Sequence, residues 1–131
     1  MSDYQAATVP LEPFGKARPR VTAGHTYMPD SYTRARAALR MLFGPVTVPP
    51  PWGVQITAVR KMPASWSKRQ RAAMDGQYCL TKPDADNIAG AVMDALFDDD
   101  AAVVAVTCVK RWGAAGELRI EIETLEEAPA P

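Results

Sequence analysis

Hydrophobic and polar residues follow two different periods along this chain, and the changes of period outline its elements. Apolar residues at every second position predict a half-buried strand over 52–60 and another over 118–123. The valine-rich run 102–112 predicts a buried strand, and the glycine-containing segment 113–116 predicts a hairpin loop that joins it to the last strand. A first strand is predicted over 9–14, where two prolines favour an irregular or edge position.

A period near 3.6 residues predicts the helices. The stretch 30–43 has an apolar stripe at helical spacing, with Asp30 or Ser31 as N-cap and Gly44-Pro45 after its end. The clearest helix is predicted over 84–97, where apolar residues recur at i, i+3, i+4, i+7 and i+8. Two segments between these elements are predicted as a loop over 15–27 and a short basic helix after the capping signal Ser65-Trp66-Ser67.

The predicted order is strand, helix, strand, helix, helix, strand, strand. This order indicates an α/β (α+β) fold in which one mixed β-sheet is covered by helices. The chain has 131 residues, enough for a single domain over 1–131 with its own core. We expect the ordered core to span about 9–124 and the tail over 125–131 to be flexible.

Composition argues against several classes of protein. The chain has no run of about 18 apolar residues and no signal-peptide pattern at its N-terminus, so we expect a cytoplasmic protein with no membrane partner. Cys79 and Cys108 lack a CxxC partner and are predicted to be buried free thiols. With His25 as the single histidine, a zinc site is not expected.

The net charge of zero conceals a strong segregation of charge. Residues 1–83 carry 12 lysines and arginines against 4 aspartates and glutamates, whereas residues 84–131 carry 3 against 11. Any single charge is best explained as part of a solvated surface. The segregation, however, indicates a polyanionic partner beside an acidic, metal-binding site.

Six aspartates surround the helix predicted over 84–97. Asp84 and Asp86 lie at its start, Asp94 lies within it, and Asp98-Asp99-Asp100 follow it. Carboxylates beyond a helix C-terminus oppose the helix dipole, and close carboxylates repel one another, so a divalent cation would stabilise this arrangement. Mg²⁺ in particular takes one or two carboxylates together with water and substrate phosphate oxygens.

The acidic residues also have simpler interpretations. Asp84 alone is more typical of an N-cap than of a metal ligand, and Asp98-Asp99-Asp100 could be a solvated turn. A shared metal site requires the strand after Asp100 to return beside the helix start. One or two of the later carboxylates would then meet Asp84 and Asp86, and a metal held there could orient a water and neutralise charge on a phosphodiester.

Three motifs around this helix resemble the core of the RusA-type Holliday-junction resolvases, a family of bacterial and prophage endonucleases. These motifs are Lys82-Pro83-Asp84-Ala85-Asp86-Asn87, Asp94-Ala95-Leu96, and Asp99-Asp100 before Val103. Two basic or aromatic segments are similar to phage-borne members, namely Gly15-Lys16-x-Arg18-Pro19-Arg20 and Met62-Pro63-x-Ser65-Trp66-Ser67. The resemblance covers roughly residues 9–123.

The resemblance implies a RusA-like homodimer that resolves four-way DNA junctions by Mg²⁺-dependent paired hydrolysis, in DNA recombination and repair, with Mn²⁺ as an alternative metal. It makes Asp84, Asp86 and Asp100 the catalytic carboxylates and metal ligands, with Asp99 as a further ligand. The basic residues expected to hold the branched DNA are Lys16, Arg18, Arg20, Arg34, Arg36, Lys68 and Arg69.

The chain departs from the family at Gly90, where members commonly have an essential lysine on the exposed face of this helix. Lys82, Lys110 or Lys68 could supply the missing charge, and we expect Lys82 to be the catalytic lysine. The connection from the helix to the acidic pair is also short. The alternative function is therefore a DNA-junction-binding protein of the same fold with weak or lost catalysis.

Two other classes fit the sequence less well. A restriction-type metal nuclease needs an acid-x-Lys pair on a neighbouring strand, and Val106–Lys110 contains no acid. A Ca²⁺-binding structural domain of the EF-hand type needs a D-x-D-x-D-G loop with a glutamate at position 12, which the chain lacks.

Overall fold

The computed structural model describes residues 3–126, which form a four-stranded mixed sheet with helices on one face and a separate two-stranded hairpin. In chain order the elements are β1 (Tyr4–Val9), β2 (Arg20–Thr22), β3 (His25–Tyr27), α1 (Asp30–Phe43), β4 (Trp52–Lys61), α2 (Lys68–Met74), α3 (Ala85–Leu96), β5 (Val103–Gly113) and β6 (Glu117–Thr124). A single 3₁₀ turn, Asp100–Ala102, connects α3 to β5. The mixed sheet with helices on it confirms the predicted fold class.

The strand order of the sheet is β1-β6-β4-β5. β6 is antiparallel to both of its neighbours, and β4 is parallel to β5. It follows that β1, β4 and β5 all run in one direction and end at the same edge of the sheet. We call this the carboxyl edge, and the segments that follow Val9, Lys61 and Gly113 all start there.

The core lies between the sheet and the two longer helices. Val54, Ile56 and Ala58 are buried on β4 while Gln55 is exposed, which confirms the predicted alternation. α3 contributes its predicted apolar stripe, and α1 contributes Leu39 and Phe43. Complete burial of an aliphatic side chain stabilises the fold by about 1.5–3 kcal/mol, so this face of the sheet provides most of the hydrophobic stabilisation.

The predictions for the N-terminal third need correction. The first strand is Tyr4–Val9 rather than 9–14, because the prolines at positions 10 and 13 have no N–H with which to continue pairing to β6. The predicted loop 15–27 contains the β2–β3 hairpin, in which the turn residue Gly24 has a φ of 81°. α1 has the predicted range, but Pro29 occupies its N-cap position and has no side-chain acceptor, so neither Asp30 nor Ser31 is the cap.

The strand predicted over 102–112 is present as β5, but the prediction that it is buried was wrong. β5 is an edge strand that pairs only with β4, and Val104 and Val106 are 62% and 40% exposed. The segment 113–116 is not a hairpin loop either. β5 and β6 lie on opposite sides of β4, and the segment passes over the end of β4.

Smaller features complete the fold. α2 is capped as predicted, since Ser67 Oγ accepts a hydrogen bond from the Gln70 N–H at 3.1 Å. Both cysteines are free thiols, with Cys79 buried and Cys108 partly buried. Leu125 N–H donates to the Pro51 carbonyl at 2.8 Å, whereas most of the predicted tail, 127–131, lies outside the described residues. No helix within 3–126 is long and apolar enough to cross a membrane.

Candidate active site at the start of α3

Asp84 and Asp86 lie in the first turn of α3 with exposed carboxylates. Asp84 occupies the N-cap position, and its backbone oxygen accepts the Ile88 N–H at 3.0 Å. Its carboxylate accepts no hydrogen bond from the N–H groups of the first turn, all of which the structure describes. The helix therefore uses the backbone of Asp84 and leaves its side chain available to a ligand.

The segment before these aspartates is fastened to the carboxyl edge by two half-buried cations, Arg60 and Lys110. Lys110 Nζ on β5 donates to the backbone oxygens of Thr81 at 2.6 Å and Pro83 at 3.0 Å. Arg60 on β4 donates to Thr81 Oγ1 at 3.1 Å and to the Lys82 carbonyl. The start of α3 is thereby held at the ends of β4 and β5. Among the candidate lysines, Lys110 is thus occupied by backbone oxygens.

Lys82 is close to the aspartates but loosely held. Its Nζ lies 3.5 Å from Asp84 Oδ2, and the two side chains are 86% and 51% exposed. Exposed pairs of this kind contribute little to stability and exchange readily with solvent or with a ligand. The pair therefore leaves Asp84 accessible.

The loop after β1 lies directly on the first turns of α3. Lys16 N–H donates to the Asn87 carbonyl at 3.0 Å. A Cβ at Gly15 would lie 3.3 Å from the Cβ atoms of both Asn87 and Pro83, so only glycine approaches the helix this closely without displacing a neighbour. This contact brings Lys16 onto α3; the exposed Arg18 follows on the same loop, and the exposed Arg20 begins β2.

Other predicted DNA-binding residues lie on α1 and α2. Lys68 and Arg69 are exposed in the first turn of α2. This helix lies at the carboxyl edge, where Gly76 N–H donates to the Trp112 carbonyl and the Trp66 ring lies 5.0 Å from the Trp112 ring. Arg34 is exposed on α1.

Arg36 and Asp94 instead join α1 to α3. Arg36 Nη1 and the Tyr32 hydroxyl donate to Asp94 Oδ2 at 3.0 and 2.6 Å. Desolvation alone would raise the pKa of Asp94, but these hydrogen bonds and the positive charges of Arg36 and Lys16 lower it below its usual value. Burial and the bond to Asp94 raise the pKa of the Tyr32 hydroxyl. Asp94 is therefore engaged within the fold rather than with the first-turn aspartates.

The remaining aspartates lie at the opposite end of α3. Asp98 pairs with Arg40 at 3.0 Å, and Asp99 Oδ1 accepts the Ala101 N–H at 3.0 Å ahead of the turn that Asp100 begins. α3 has 12 residues and is about 18 Å long, so Asp100 cannot share an ion with Asp84 and Asp86 of the same chain. Within residues 3–126, no three His, Cys, Asp or Glu side chains are placed to hold a metal.

The chain does come back to the start of α3 after Asp100, but it does so well along β5 and not directly after the acidic residues. Only Phe97, Asp98 and Asp99 separate α3 from the 3₁₀ turn, too few residues to span the helix. The Trp52 ring, beside the start of β5, packs at a tilt against the Phe97 ring with centroids 4.7 Å apart, so the C-terminal end of α3 lies at the start of β4 and β5. β5 reaches the start of α3 only at Lys110, so a lysine arrives there in place of an aspartate.

Sequence reasoning missed two features of the site. Arg60 and Lys110 position the segment 81–83 through backbone oxygens, and nothing in the sequence signals such contacts. The second feature is Lys16, whose side chain lies over Gly90. Gly90 itself indicated this contact, because a helix position without a side chain leaves room for a side chain from another segment.

Comparison with known proteins agrees with this architecture. No curated protein matches the sequence significantly. The family model described as Endodeoxyribonuclease RusA matches residues 10–123, which cover β2 to β5 completely and nearly all of β6. The chain therefore belongs to the RusA endodeoxyribonuclease family.

Proposed function

We propose that this protein is a Mg²⁺-dependent endonuclease that resolves four-way DNA junctions by paired hydrolysis of phosphodiesters. Membership of the family establishes the coarser function, endonuclease activity on Holliday junctions. The observation that supports the finer proposal is the first turn of α3. There, two carboxylates that the fold does not use are presented at the carboxyl edge beside a basic loop.

Asp84 and Asp86 fit the requirements of Mg²⁺. This ion takes one or two protein carboxylates and completes its octahedron with waters and substrate phosphate oxygens. The exposed first turn leaves space for those additional oxygens. A bound Mg²⁺ would supply an activated water and neutralise negative charge on the phosphodiester, and Mn²⁺ would serve the same ligands.

The basic residues around this turn form the proposed DNA surface. Lys16, Arg18 and Arg20 approach from the loop after β1, and Lys68 and Arg69 approach from α2. Arg34 extends the surface along α1, whereas Arg36 contributes less because it is bound to Asp94. Phosphate contacts of this kind give binding that weakens steeply with salt.

Cleavage of a synthetic four-way junction with Mg²⁺ or Mn²⁺ tests the proposal. We expect paired nicks from the wild-type protein. Asp86→Asn should retain junction affinity and lose cleavage, since the amide keeps the shape of the side chain and removes a ligand charge. Asp3→Asn, at the opposite edge of the sheet, is the matched control. Unchanged cleavage by Asp86→Asn would refute the assignment of this turn as the metal site.

Asp99 and Asp100 are proposed to act on the site of a second subunit. Because they lie at the far end of α3 in their own chain, we propose that they reach the first-turn aspartates of a second subunit in a homodimer. Exposed valines on β5, which is an edge strand of the sheet, are suited to such an interface.

Subunit mixing tests this arrangement. Asp86→Asn and Asp100→Asn are each expected to be inactive as homodimers. Their mixture forms heterodimers in which one of the two sites combines an intact Asp86 with the partner subunit's intact Asp100, so nicking should return. A mixture that stays inactive, after subunit exchange is verified with differently tagged chains, contradicts a shared site.

The second candidate function is a junction-binding protein with weak or lost catalysis, and Gly90 is the observation that favours it. Binding of the four-way junction without incision in either metal would support this function. Robust cleavage by the wild-type chain would exclude it.

A further inference from the structure

The exposed face of α3 has a gap at Gly90 that is covered from outside the helix. The side chain of Lys16 crosses this gap. Its Cδ and Cβ atoms lie 3.5 and 3.7 Å from the position that a Cβ on residue 90 would take. These are ordinary van der Waals distances, so Lys16 packs on the helix as closely as a neighbouring side chain would.

Two further contacts show that Lys16 is held in this place. Its N–H is hydrogen-bonded to the Asn87 carbonyl, and the preceding Gly15 fits against Asn87 and Pro83. The aliphatic part of Lys16 therefore begins at a fixed point and extends along α3. Lys16 itself is exposed, which leaves its ammonium group accessible to a ligand.

The position of Gly90 on the helix defines what Lys16 is near. Residues 86, 90 and 94 are spaced by four, so Asp86, Gly90 and Asp94 form one row on α3, with Cβ positions about 5–6 Å apart between consecutive members. Lys16 thus lies one turn from the proposed metal ligand Asp86. Its charge also acts on Asp94, one turn in the other direction.

The other candidate lysines are placed differently. Lys110 Nζ is bound to two backbone oxygens, and Lys68 lies on α2. Lys82 is near Asp84, but its side chain is 86% exposed and is held only by that weak pair. Of these lysines and Lys16, only Lys16 packs against the row that contains position 90.

We propose that Lys16 supplies from the loop the positive charge that the family places on the helix at the position of Gly90. The inference rests on the proposed function, and it makes Lys16 a catalytic residue that contacts the phosphodiester being cut. Water adds to phosphorus and gives up one proton to solvent, the bond to the leaving sugar oxygen breaks, and that oxygen takes up a proton from solvent. Lys16 keeps its own proton throughout and stabilises the charge that develops on the phosphoryl oxygens.

Three variants test this role under single-turnover conditions, with junction affinity measured separately in EDTA. Lys16→Gln should reduce the cleavage rate about 100-fold or more, which is typical for the loss of one group that stabilises a transition state. Its junction affinity should fall only a few-fold, since one phosphate contact is lost. Lys61→Gln removes an equal charge from an exposed residue at the end of β4 and should cleave like the wild type.

The decisive variant is Lys16→Gln with Gly90→Lys. A Cβ at position 90 would meet no atom closer than 3.5 Å, and replacing a helical glycine favours the helix, so the double variant should fold. Thermal unfolding of all variants checks this. We expect the double variant to cleave at least tenfold faster than Lys16→Gln. The lysine at position 90 restores a positive charge at the point on α3 where the side chain of Lys16 lies in the wild type.

The outcomes separate the inference from the function on which it rests. A wild-type protein that cleaves, with Lys16→Gln within threefold of it, overturns the role of Lys16 and leaves the nuclease intact. A folded double variant that is no faster than Lys16→Gln also overturns it. A wild-type protein that binds junctions without cutting them in Mg²⁺ or Mn²⁺ overturns the proposed function, and the catalytic role of Lys16 with it.

Discussion

Replacing Asp94 by alanine should destabilise the protein considerably more than replacing Asp98, although both aspartates pair with an arginine of α1 at 3.0 Å. The difference lies in their surroundings. The Asp94 side chain is 28% exposed and also accepts the hydroxyl of the buried Tyr32, whereas the Asp98 side chain is 87% exposed. Asp98→Ala is therefore a control that removes the same chemical group from the surface.

The magnitude follows from the contacts. A hydrogen bond to a charged acceptor contributes about 1.5–3 kcal/mol, and loss of Asp94 also leaves the Tyr32 hydroxyl without its acceptor. Because Arg36 and Asp94 remain partly solvated, we expect the lower half of this range in addition to a small ion-pair contribution, about 2–3 kcal/mol in total. For a domain of this size, that is a decrease in Tm of roughly 8–12 °C. Asp98→Ala should cost about 0–1 kcal/mol.

The pH dependence provides an independent check. The folded-state pKa of Asp94 is lowered, so the contribution of its carboxylate is fully present above the unfolded pKa of about 3.9 and is lost as the pH falls through the folded pKa. The difference in free energy of unfolding between wild type and Asp94→Ala should therefore be constant above about pH 5 and shrink below about pH 4.

Urea unfolding followed by circular dichroism from pH 7 to pH 3 measures both quantities. A Tyr32→Phe and Asp94→Ala double-mutant cycle should give a coupling energy of about 1 kcal/mol, because the two groups share one hydrogen bond. Equal costs for Asp94→Ala and Asp98→Ala would refute the reasoning. So would a cost of Asp94→Ala that grows as the pH falls.

Four further results are expected. Burial raises the pKa of Cys108 to about 11, so this thiol should react with iodoacetamide at pH 8 far more slowly in the folded protein than in urea; equal rates would contradict its burial. Ser67→Ala should cost about 1 kcal/mol of stability by removing the α2 cap, measured by urea unfolding, with the exposed Ser65→Ala as a control that should cost much less. If the proposed homodimer forms through β5, Val106→Lys should reduce the mass measured by light scattering to that of a monomer, whereas Thr8→Lys on β1 should not; an unchanged dimer mass would exclude β5 from the proposed interface. Arg18→Gln should lower the slope of log junction affinity against log salt by about 1, and an unchanged slope would remove Arg18 from the proposed DNA surface.

The central part of the fold was predictable because local pattern and burial agree there. The strands β4 and β6 and the helices α1 and α3 each bury one face against a continuous core, so their periodicity records the fold directly. The burial of β5 was predicted wrongly because its valines favour a strand but do not determine whether that strand lies inside the sheet or at its edge. Its place at the end of the sheet depends on pairing with β4, which is a non-local contact.

The candidate site was predictable in its residue types and only in part in its geometry. The availability of Asp84 and Asp86 followed from the motif, but the separation of Asp100 from them depends on the direction of α3 and the length of the segment after it. The contact of Lys16 with Gly90 joins residues more than 70 positions apart. Periodicity describes one element at a time, and it therefore could not reveal that the loop after β1 lies on α3.

The attachment of the segment 81–83 has a consequence for how this protein can change. Lys110 and Arg60 hold it chiefly through carbonyl oxygens, which every amino acid provides. The side chains of Thr81 and Lys82 can therefore be exchanged while the aspartates that follow stay in place. An evolving lineage or a protein engineer can alter the charge and shape of the surface beside the proposed metal site without rebuilding the support of that site.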